Sequence, residues 1–267
     1  MPGRRKRSSG PRPINSLFKP DENFVIICSV SIREELVHSR AVSQNEFGGH
    51  RLKMIIIGIC GGTSSGKSTL AKTIKEELSC SCVILGQDCY YFDQKAKPME
   101  ERAKVNYDSP DIFDHDELYM DVLALKAGRP ITKKGYDFPN HCRADSDELI
   151  YPPEVLVIEG IHAFYDVRLM SHMDLKIYMR VDTDICLLRR IDRDMKKRGR
   201  TLESIAAQYK ATVKPMYDEY ISKYIDKADF AVMRGGKNTM ASEAVTAYIE
   251  KKLLQEKEKK ARETESK

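Results

Sequence analysis

A glycine-rich segment of this chain has the residue types and the spacing of a phosphate-binding loop. Four residues separate Gly61 from Gly66, and Lys67 and Ser68 follow at once, which matches G-x-x-x-x-G-K-[ST]. In such a loop, backbone N–H groups turn towards phosphate oxygens, the lysine reaches the β- and γ-phosphates, and the serine hydroxyl can bind Mg²⁺. The residues predicted to hold a nucleoside triphosphate are Gly61, Gly62, Thr63, Ser64, Ser65, Gly66, Lys67, Ser68 and Thr69.

Two acidic residues follow other apolar runs. Asp88 comes after the run 82–85, and Glu159 comes directly after the run 155–158. In open parallel sheets ligands bind at the carboxyl ends of the strands, so both carboxylates are expected near the loop. A carboxylate there holds Mg²⁺ or takes a proton from the attacking hydroxyl. The residues alone leave open a simpler alternative, in which each is an ordinary turn or surface acid.

Arginines crowd one predicted helix and the turn after it: Arg189, Arg190, Arg193, Arg198 and Arg200. Residues three apart on a helix, such as Arg190 and Arg193, share one face. Guanidinium groups bind phosphate through two hydrogen bonds, and a mobile arginine-bearing lid can neutralise a phosphoryl group in transfer. The alternative is a solvated helix face paired with Asp192 and Asp194.

The elements that must position these residues alternate between strand and helix. Apolar runs predict strands at 55–60, 82–85, 155–158, 175–179 and 228–232. Helical spacing predicts helices at 70–78, 116–127, 184–198, 204–224 with a kink or division at Pro215, and from 241 to the charged tail. Strands that alternate with helices predict an α/β fold, a doubly wound parallel sheet. A hairpin over 131–151 is expected to project from it, and the arginine-rich helix to form a lid.

Charge divides the chain of 267 residues into three predicted parts. Residues 1–53 hold ten Lys/Arg and five Asp/Glu, and the remainder holds 35 of each and is formally neutral. We therefore predict a disordered basic leader at 1–53, one domain at 54–255 and a charged tail at 256–267. The cluster 4–7 could be a nuclear signal, a nucleic-acid contact, part of an organelle presequence or a solvated segment without function. Translation starting at Met54 is a further hypothesis.

Composition also excludes some classes of protein. No apolar run approaches the roughly 20 residues of a membrane span. The absence of net charge over residues 54–267 is not typical of a nucleic-acid-binding domain. The seven cysteines are scattered without a C-x-x-C pair, which favours reduced thiols in a cytosolic type of compartment.

Several short blocks follow one another along the chain. Besides the loop they are 87–91, 99–102, 106–110, 136–138 with His141, 158–160, 189–194 with 198–200, 208–209 and 234–238. In order and spacing they resemble the uridine kinases (uridine–cytidine kinases), most closely the short, single-domain members. The resemblance runs from about Ile55 to Ile249 and covers neither the leader nor the tail. The sequence departs from the family pattern at Arg180 and His162, where members usually have apolar residues.

The resemblance implies roles that spacing alone does not give. Asp88 would be the base for the ribose 5′-hydroxyl, and Asp108 and Arg190 would bind the ribose 2′- and 3′-hydroxyls. Side chains implied to read or pack on the pyrimidine are Tyr91, Tyr136, Phe138 and His141, with Gln208 as a further nucleoside contact. The implied catalytic residues besides Asp88 are Lys67, Arg193 and Arg198, with Arg200 on the phosphates. Those implied around Mg²⁺ are Ser68, Glu159 and Asp88.

The implied activity is phosphorylation of uridine and cytidine at the 5′-hydroxyl, with MgATP or MgGTP as donor, in pyrimidine salvage. The resemblance further implies a homo-oligomer, often a tetramer, often inhibited by pyrimidine triphosphates, and the cysteine pattern favours a cytoplasmic protein. One alternative is a related kinase for another small hydroxyl substrate such as a sugar phosphate. A second alternative is not an enzyme: a nucleotide-gated switch, or an RNA-associated protein that uses the basic leader.

Overall fold

The computed structural model describes residues 53–265, and side chains as far as 263. The predicted leader, apart from Lys53, lies outside the described residues, so the hypothesis of a start at Met54 stays a prediction. The strands of the described chain are β1 (Ile55–Gly61), β2 (Cys82–Gly86), β3 (Ile131–Thr132), β4 (Tyr136–Asp137), β5 (Cys142–Arg143), β6 (Leu149–Ile150), β7 (Val155–Gly160), β8 (Leu175–Arg180) and β9 (Phe230–Met233).

The α-helices of the described chain are α1 (Lys67–Glu77), α2 (Met99–Arg102), α3 (His115–Lys126), α4 (Val167–Met170), α5 (Thr183–Arg198), α6 (Leu202–Gln208), α7 (Lys214–Glu219) and α8 (Thr239–Glu265). Short 3₁₀ segments cover Gln87–Tyr90, Pro110–Ile112 and Ile221–Lys227, and a π-helical turn covers Tyr209–Val213. None of the helices within 53–265 is long and apolar enough to cross a membrane.

A five-stranded sheet in the order β2-β7-β1-β8-β9 forms the centre of the domain, and every neighbouring pair is parallel. The predicted parallel α/β sheet is therefore confirmed. Glu159 of β7 lies opposite Ile59 of β1 on one side and Gly86 of β2 on the other. This register brings the carboxyl ends of the three strands to one edge, where ligands of such sheets bind.

The sheet has a hydrophobic core on each face because alternate strand residues point to opposite sides. Residues of β1 that share one face with the helices α1 and α8 are Ile55, Ile57 and Ile59, packed with Leu70, Ile74, Val245 and Ile249. On the other face Ile56, Leu156 and Ile158 pack with Leu118 and Val122 of α3. Each of these fully buried aliphatic side chains stabilises the fold by about 1.5–3 kcal/mol.

The segment 131–151 forms the predicted hairpin, as two short antiparallel ladders in series. β3 pairs with β6, and further out β4 pairs with β5, so that Tyr136 lies opposite Arg143. Two cations of the hairpin, Lys134 and Arg143, each lie 2.7 Å from a carboxylate oxygen of Glu117 on α3. These ion pairs hold the hairpin against the domain.

The helix predicted at 204–224, with a kink or division at Pro215, is divided as predicted: a π-helical turn, Tyr209–Val213, ends directly before α7, and Pro215 lies in the first turn of α7. Two other features have local causes. α8 continues to Glu265, past the predicted end at 255, because residues 251–262 are mostly strong helix formers. Arg180 ends β8 with its side chain exposed, so its charge does not disturb the core.

Candidate active site

The loop between β1 and α1 has the backbone that the motif predicts. Gly66 precedes α1 with φ 99°, and Ser64 also has a positive φ, 56°. A Cβ atom on Gly66 would lie 2.4 Å from the backbone nitrogen of Gly236, so only glycine fits this turn. The block 234–238 thus packs directly against the loop. Of the two hydroxyl residues that follow Lys67, Ser68 and Thr69, both are exposed, whereas Ser65 is buried.

Lys67 lies within the curve of the loop. Its Nζ donates to the carbonyl oxygens of Gly61 at 3.0 Å and Gly62 at 2.9 Å. The buried ammonium is therefore held at the mouth of a loop whose backbone suits an anion.

Ser68 and Glu159 provide oxygen ligands beside the loop. The Ser68 hydroxyl donates to Oε1 of Glu159 at 2.6 Å. Burial raises the pKa of Glu159, and the charge of nearby Lys67 opposes that rise. A hydroxyl and a carboxylate are the hard oxygen donors that Mg²⁺ prefers when it also binds nucleotide phosphates, so these two residues fit a nucleotide-bound Mg²⁺.

Asp88 is the second residue of the 3₁₀ turn after β2, and β7 lies between β2 and the strand that precedes the loop. Tyr91 points its hydroxyl at Oδ1 of Asp88 over a long 3.4 Å. The preceding residue, Gln87, is fully buried against Gly160, where a Cβ atom would lie 2.3 Å from its Oε1. That oxygen also accepts the backbone N–H of His162 at 2.9 Å. Gln87 therefore fixes the turn that carries Asp88, a role that the sequence did not reveal.

Arg190 and Asp108 face each other beside the loop, both almost fully buried at 5% and 6% exposure. Nη1 of Arg190 lies 4.0 Å from Oδ1 of Asp108 and donates to the Thr63 hydroxyl at 3.0 Å. Nη2 donates to Oε1 of Gln208 at 2.9 Å. Burial raises the pKa of Asp108, and Arg190 opposes that rise. The guanidinium of Arg190 thus connects the phosphate loop with two predicted nucleoside ligands.

Aromatic rings form a cluster beyond Asp108. The Tyr91 ring lies 4.8 Å from that of Tyr136, which meets Phe138 edge-on at 5.2 Å. His141 stacks on Tyr107 at 4.9 Å. Burial, followed by the charges of Arg200 and Arg198, lowers the pKa of His141, so its imidazole is neutral near pH 7. Tyr107 was not predicted as a site residue, although it lies in a recognised block beside Asp108.

The predicted lid arginines meet at one buried carboxylate, Asp194, whose side chain is 0% exposed. It lies 2.8 Å from Nε of Arg193 and 3.4 Å from Nη1 of Arg198. Nε of Arg190 and Nη1 of Arg200 lie 3.6 and 3.8 Å away. Arg200 also donates to Gln208, and the Arg198 guanidinium lies 4.4 Å from the Phe138 ring centre. The arginine-rich face is therefore an organised cluster around Asp194, which no sequence motif assigned.

Replacing Asp194 with Asn should lower the free energy of unfolding by about 2 kcal/mol, because the arginines lose their shared counter-charge. The loss is smaller than for a fully buried pair, since the side chains of Arg193, Arg198 and Arg200 are partly exposed. Burial raises the pKa of Asp194, but the arginines outweigh it and hold that pKa below its usual range. This stabilisation is thus present at neutral pH and is lost as the pH falls below about 4.

Urea unfolding of wild type and variant at neutral and acid pH measures this difference. Asp192→Asn is the control, because Asp192 is exposed on the same helix and pairs only with exposed Lys196 among the described ion pairs. Equal losses for the two variants would contradict the central role of Asp194.

The phosphate loop follows the central strand of a parallel sheet, with a carboxylate and an arginine-rich helix beside it. This combination defines a P-loop protein of the kinase type. The model of the Phosphoribulokinase / Uridine kinase family matches residues 56–241. The chain belongs to the phosphoribulokinase/uridine kinase family, which confirms the resemblance drawn from the sequence.

Individual relatives agree with this assignment. The chain is 41% identical to "Uridine kinase" of Leuconostoc citreum, over 76% of this chain and 99% of that protein. It is 43% identical to "Uridine kinase" of Proteus mirabilis, over 73% and 93% of the two chains. The solved phosphoribulokinase of Rhodobacter spheroides is 19% identical and matches with a TM-score of 0.51, over 68% of this chain and 70% of that one. That last likeness concerns the fold alone.

Proposed function

We propose that this chain is a uridine kinase, which transfers the γ-phosphate of ATP or GTP to the 5′-hydroxyl of uridine or cytidine. The observation that carries the proposal is the position of Arg190, which bonds Thr63 of the phosphate loop and faces Asp108. One guanidinium therefore links the donor side to a buried carboxylate suited to sugar hydroxyls. The "Uridine kinase" relatives, similar over nearly their whole length, support the same substrate.

In the proposed reaction the 5′-oxygen bonds to the γ-phosphorus and the bond from that phosphorus to the β–γ bridging oxygen breaks. Asp88 accepts the proton of the 5′-hydroxyl as the new bond forms. Lys67 at the loop, with Arg193 and Arg198 from the lid, stabilises the charge on the transferring group. Ser68 and Glu159 would hold Mg²⁺, which when bound would neutralise negative charge on the β- and γ-phosphates.

On the acceptor side, Asp108 and Arg190 bind the 2′- and 3′-hydroxyls and thereby orient the 5′-hydroxyl. The ring cluster of Tyr91, Tyr136 and Phe138 offers a surface on which a pyrimidine can pack, and neutral His141 can hydrogen-bond its edge. A sugar phosphate would instead need a second basic pocket for its own phosphate. The aromatic composition of this region therefore favours a nucleoside.

The test is release of nucleoside diphosphate from MgATP by the purified full chain, measured with a coupled assay. We expect release that depends on uridine or cytidine. Release that depends on ribulose 5-phosphate instead would favour the sugar-phosphate alternative. Nucleotide binding without release in the presence of any of these acceptors would favour a switch.

Asp108→Asn should mainly raise the KM for uridine and weaken discrimination against deoxyuridine, because a ribose ligand acts on binding more than on the chemical step. We expect a rise in KM of about tenfold, the value of one charge-assisted hydrogen bond. Steady-state kinetics with both nucleosides measure this, and Asp111→Asn, at an exposed position in the same segment, is the control. An unchanged ratio of the two kcat/KM values would remove Asp108 from the ribose site.

A further inference from the structure

His162 is a buried polar residue that the proposed reaction does not use. It follows β7 by two residues and its exposure is 1%. Four aromatic rings surround it at centroid distances of 5.7–6.1 Å, all at steep angles: Phe113, Tyr165, Tyr220 and Tyr224. An apolar side chain would suit such surroundings, so a histidine here needs a reason beyond packing.

Both ring nitrogens of His162 have partners. Nε2 lies 2.7 Å from the backbone carbonyl oxygen of Asp108, and Nδ1 lies 2.9 Å from the hydroxyl of Tyr224. A carbonyl oxygen only accepts, so Nε2 carries the hydrogen, and Nδ1 then accepts from the tyrosine hydroxyl. Burial lowers the pKa of His162 to about 4, which keeps the ring neutral near pH 7. One tautomer thus satisfies the ring completely.

The contact with Asp108 completes a set of restraints on that residue. The backbone N–H of Asp108 donates to the side-chain oxygen of Asn106 at 3.0 Å, and Thr212 donates to its Oδ2 at 3.1 Å. Arg190 faces its other carboxylate oxygen. His162 is the partner that holds the backbone carbonyl. Because His162 follows Glu159 on the same chain segment, this bond connects Asp108 to the strand end beside the phosphate loop.

We propose that His162, at a position where family members usually have an apolar residue, is a positioning residue particular to this chain. It strengthens sugar selectivity by holding the backbone of Asp108 so that its carboxylate meets the ribose hydroxyls. The inference rests on the proposed function, since it concerns the nucleoside acceptor. Selectivity for a hydroxyl is strict only where the ligand that recognises it is fixed, because a mobile carboxylate can turn to water when the hydroxyl is missing.

His162→Leu removes the hydrogen bonds to Asp108 and Tyr224 and places an apolar side chain among the aromatic rings. We expect it to lower the ratio of kcat/KM for uridine to that for deoxyuridine by about tenfold, with kcat for uridine changed by less than about threefold. His162→Gln, whose amide can still donate to the Asp108 carbonyl, should recover most of the ratio. Tyr224→Phe, which leaves the Nε2 donor in place, should change the ratio little.

His115→Leu is the matched control. His115 also contacts a backbone carbonyl, that of Pro110 at 3.0 Å, and stacks on Tyr165 in the same cluster, but it makes no described hydrogen bond to Asp108. We expect its substitution to leave the ratio unchanged. Thermal unfolding of every variant, with and without ADP, reports folding and nucleotide binding separately from selectivity.

The outcomes separate this inference from the proposed function. If the wild type phosphorylates no nucleoside, the proposed function fails and the inference fails with it. If the wild type prefers uridine to deoxyuridine and His162→Leu binds ADP but keeps the wild-type ratio, His162 only fills the core. Should His162→Leu not fold, the Gln variant and the ¹⁵N NMR shifts of the wild-type imidazole decide. A ring protonated at Nδ1, or a folded Gln variant that has lost most of the wild-type ratio, would overturn the inference.

Discussion

Asparagine in place of Asp88 should lower kcat for uridine by about 100-fold or more, the usual contribution of a general base, and leave uridine binding little changed. The ribose hydroxyl is a poor nucleophile at neutral pH until a nearby group takes its proton. The substituted amide keeps the size of the side chain and one acceptor oxygen, but an amide oxygen cannot take that proton. The loss should therefore fall on the chemical step.

The position of Asp88 supports this expectation. It lies two residues beyond Gly86, which is paired in register with Glu159, and Gln87 and Gly160 hold the intervening turn. β7 lies between β2, which this turn follows, and β1, the strand that precedes the phosphate loop. An acceptor hydroxyl bound at Asp88 would therefore have the hydrogen-bonded pair of Ser68 and Glu159 on one side. In the proposed reaction Asp88 would therefore take the proton on the side of Ser68 and Glu159 from which the acceptor hydroxyl attacks.

Steady-state kinetics of Asp88→Asn with uridine and deoxyuridine, beside those of Asp108→Asn, separate the two roles. We expect a fall in kcat with a nearly constant KM for the first variant and a rise in KM for the second. If Asp88→Asn changed only KM while Asp108→Asn abolished turnover, the base and the ribose ligand would have to be exchanged.

The phosphate loop and the parallel sheet could be predicted from sequence because their signals are local. All of the loop chemistry lies within 61–68, and each central strand is a short apolar run that needs no distant partner to be recognised. Pro215 predicted a break in its helix for the same reason, because proline lacks the backbone N–H that would bond within its own helical turn. The acceptor residues were predicted only through the family resemblance, because Asp108 and Arg190 lie 82 positions apart and no spacing rule connects them.

Contacts between distant segments could not be predicted. From the sequence, Asp194 and Asp192 can be interpreted as partners of arginines on a solvated helix face. The burial of Asp194 depends on Arg200, which folds back over the C-terminal end of α5 because Gly199 adopts a left-handed conformation with φ 61°. Gln87 and His162 depend on the turn after β2 meeting the segment after β7. Charge pattern alone did not distinguish Asp194 from Asp192, two residues away on the same helix, because exposure is set by the tertiary fold.

Alanine in place of Lys67 should remove most activity, about 100-fold or more in kcat, because one preorganised cationic contact to the phosphates is lost from a loop that otherwise remains formed. The loop backbone has independent supports: the left-handed turn at Gly66 and its close contact with Gly236 do not involve the lysine side chain. The carbonyl oxygens of Gly61 and Gly62, which Lys67 contacts, can turn to water in its absence. We therefore expect the thermal midpoint without nucleotide to change little.

Lys75→Ala is the control, because this lysine lies on the same helix, α1, in its last turn and away from the loop. Turnover with uridine at saturating MgATP should be close to that of wild type for Lys75→Ala and about 100-fold lower for Lys67→Ala, a difference that a general effect of charge or helix stability cannot produce. Turnover of Lys67→Ala within about threefold of wild type, with both variants folded, would mean that the loop between β1 and α1 is not where the phosphoryl group is transferred.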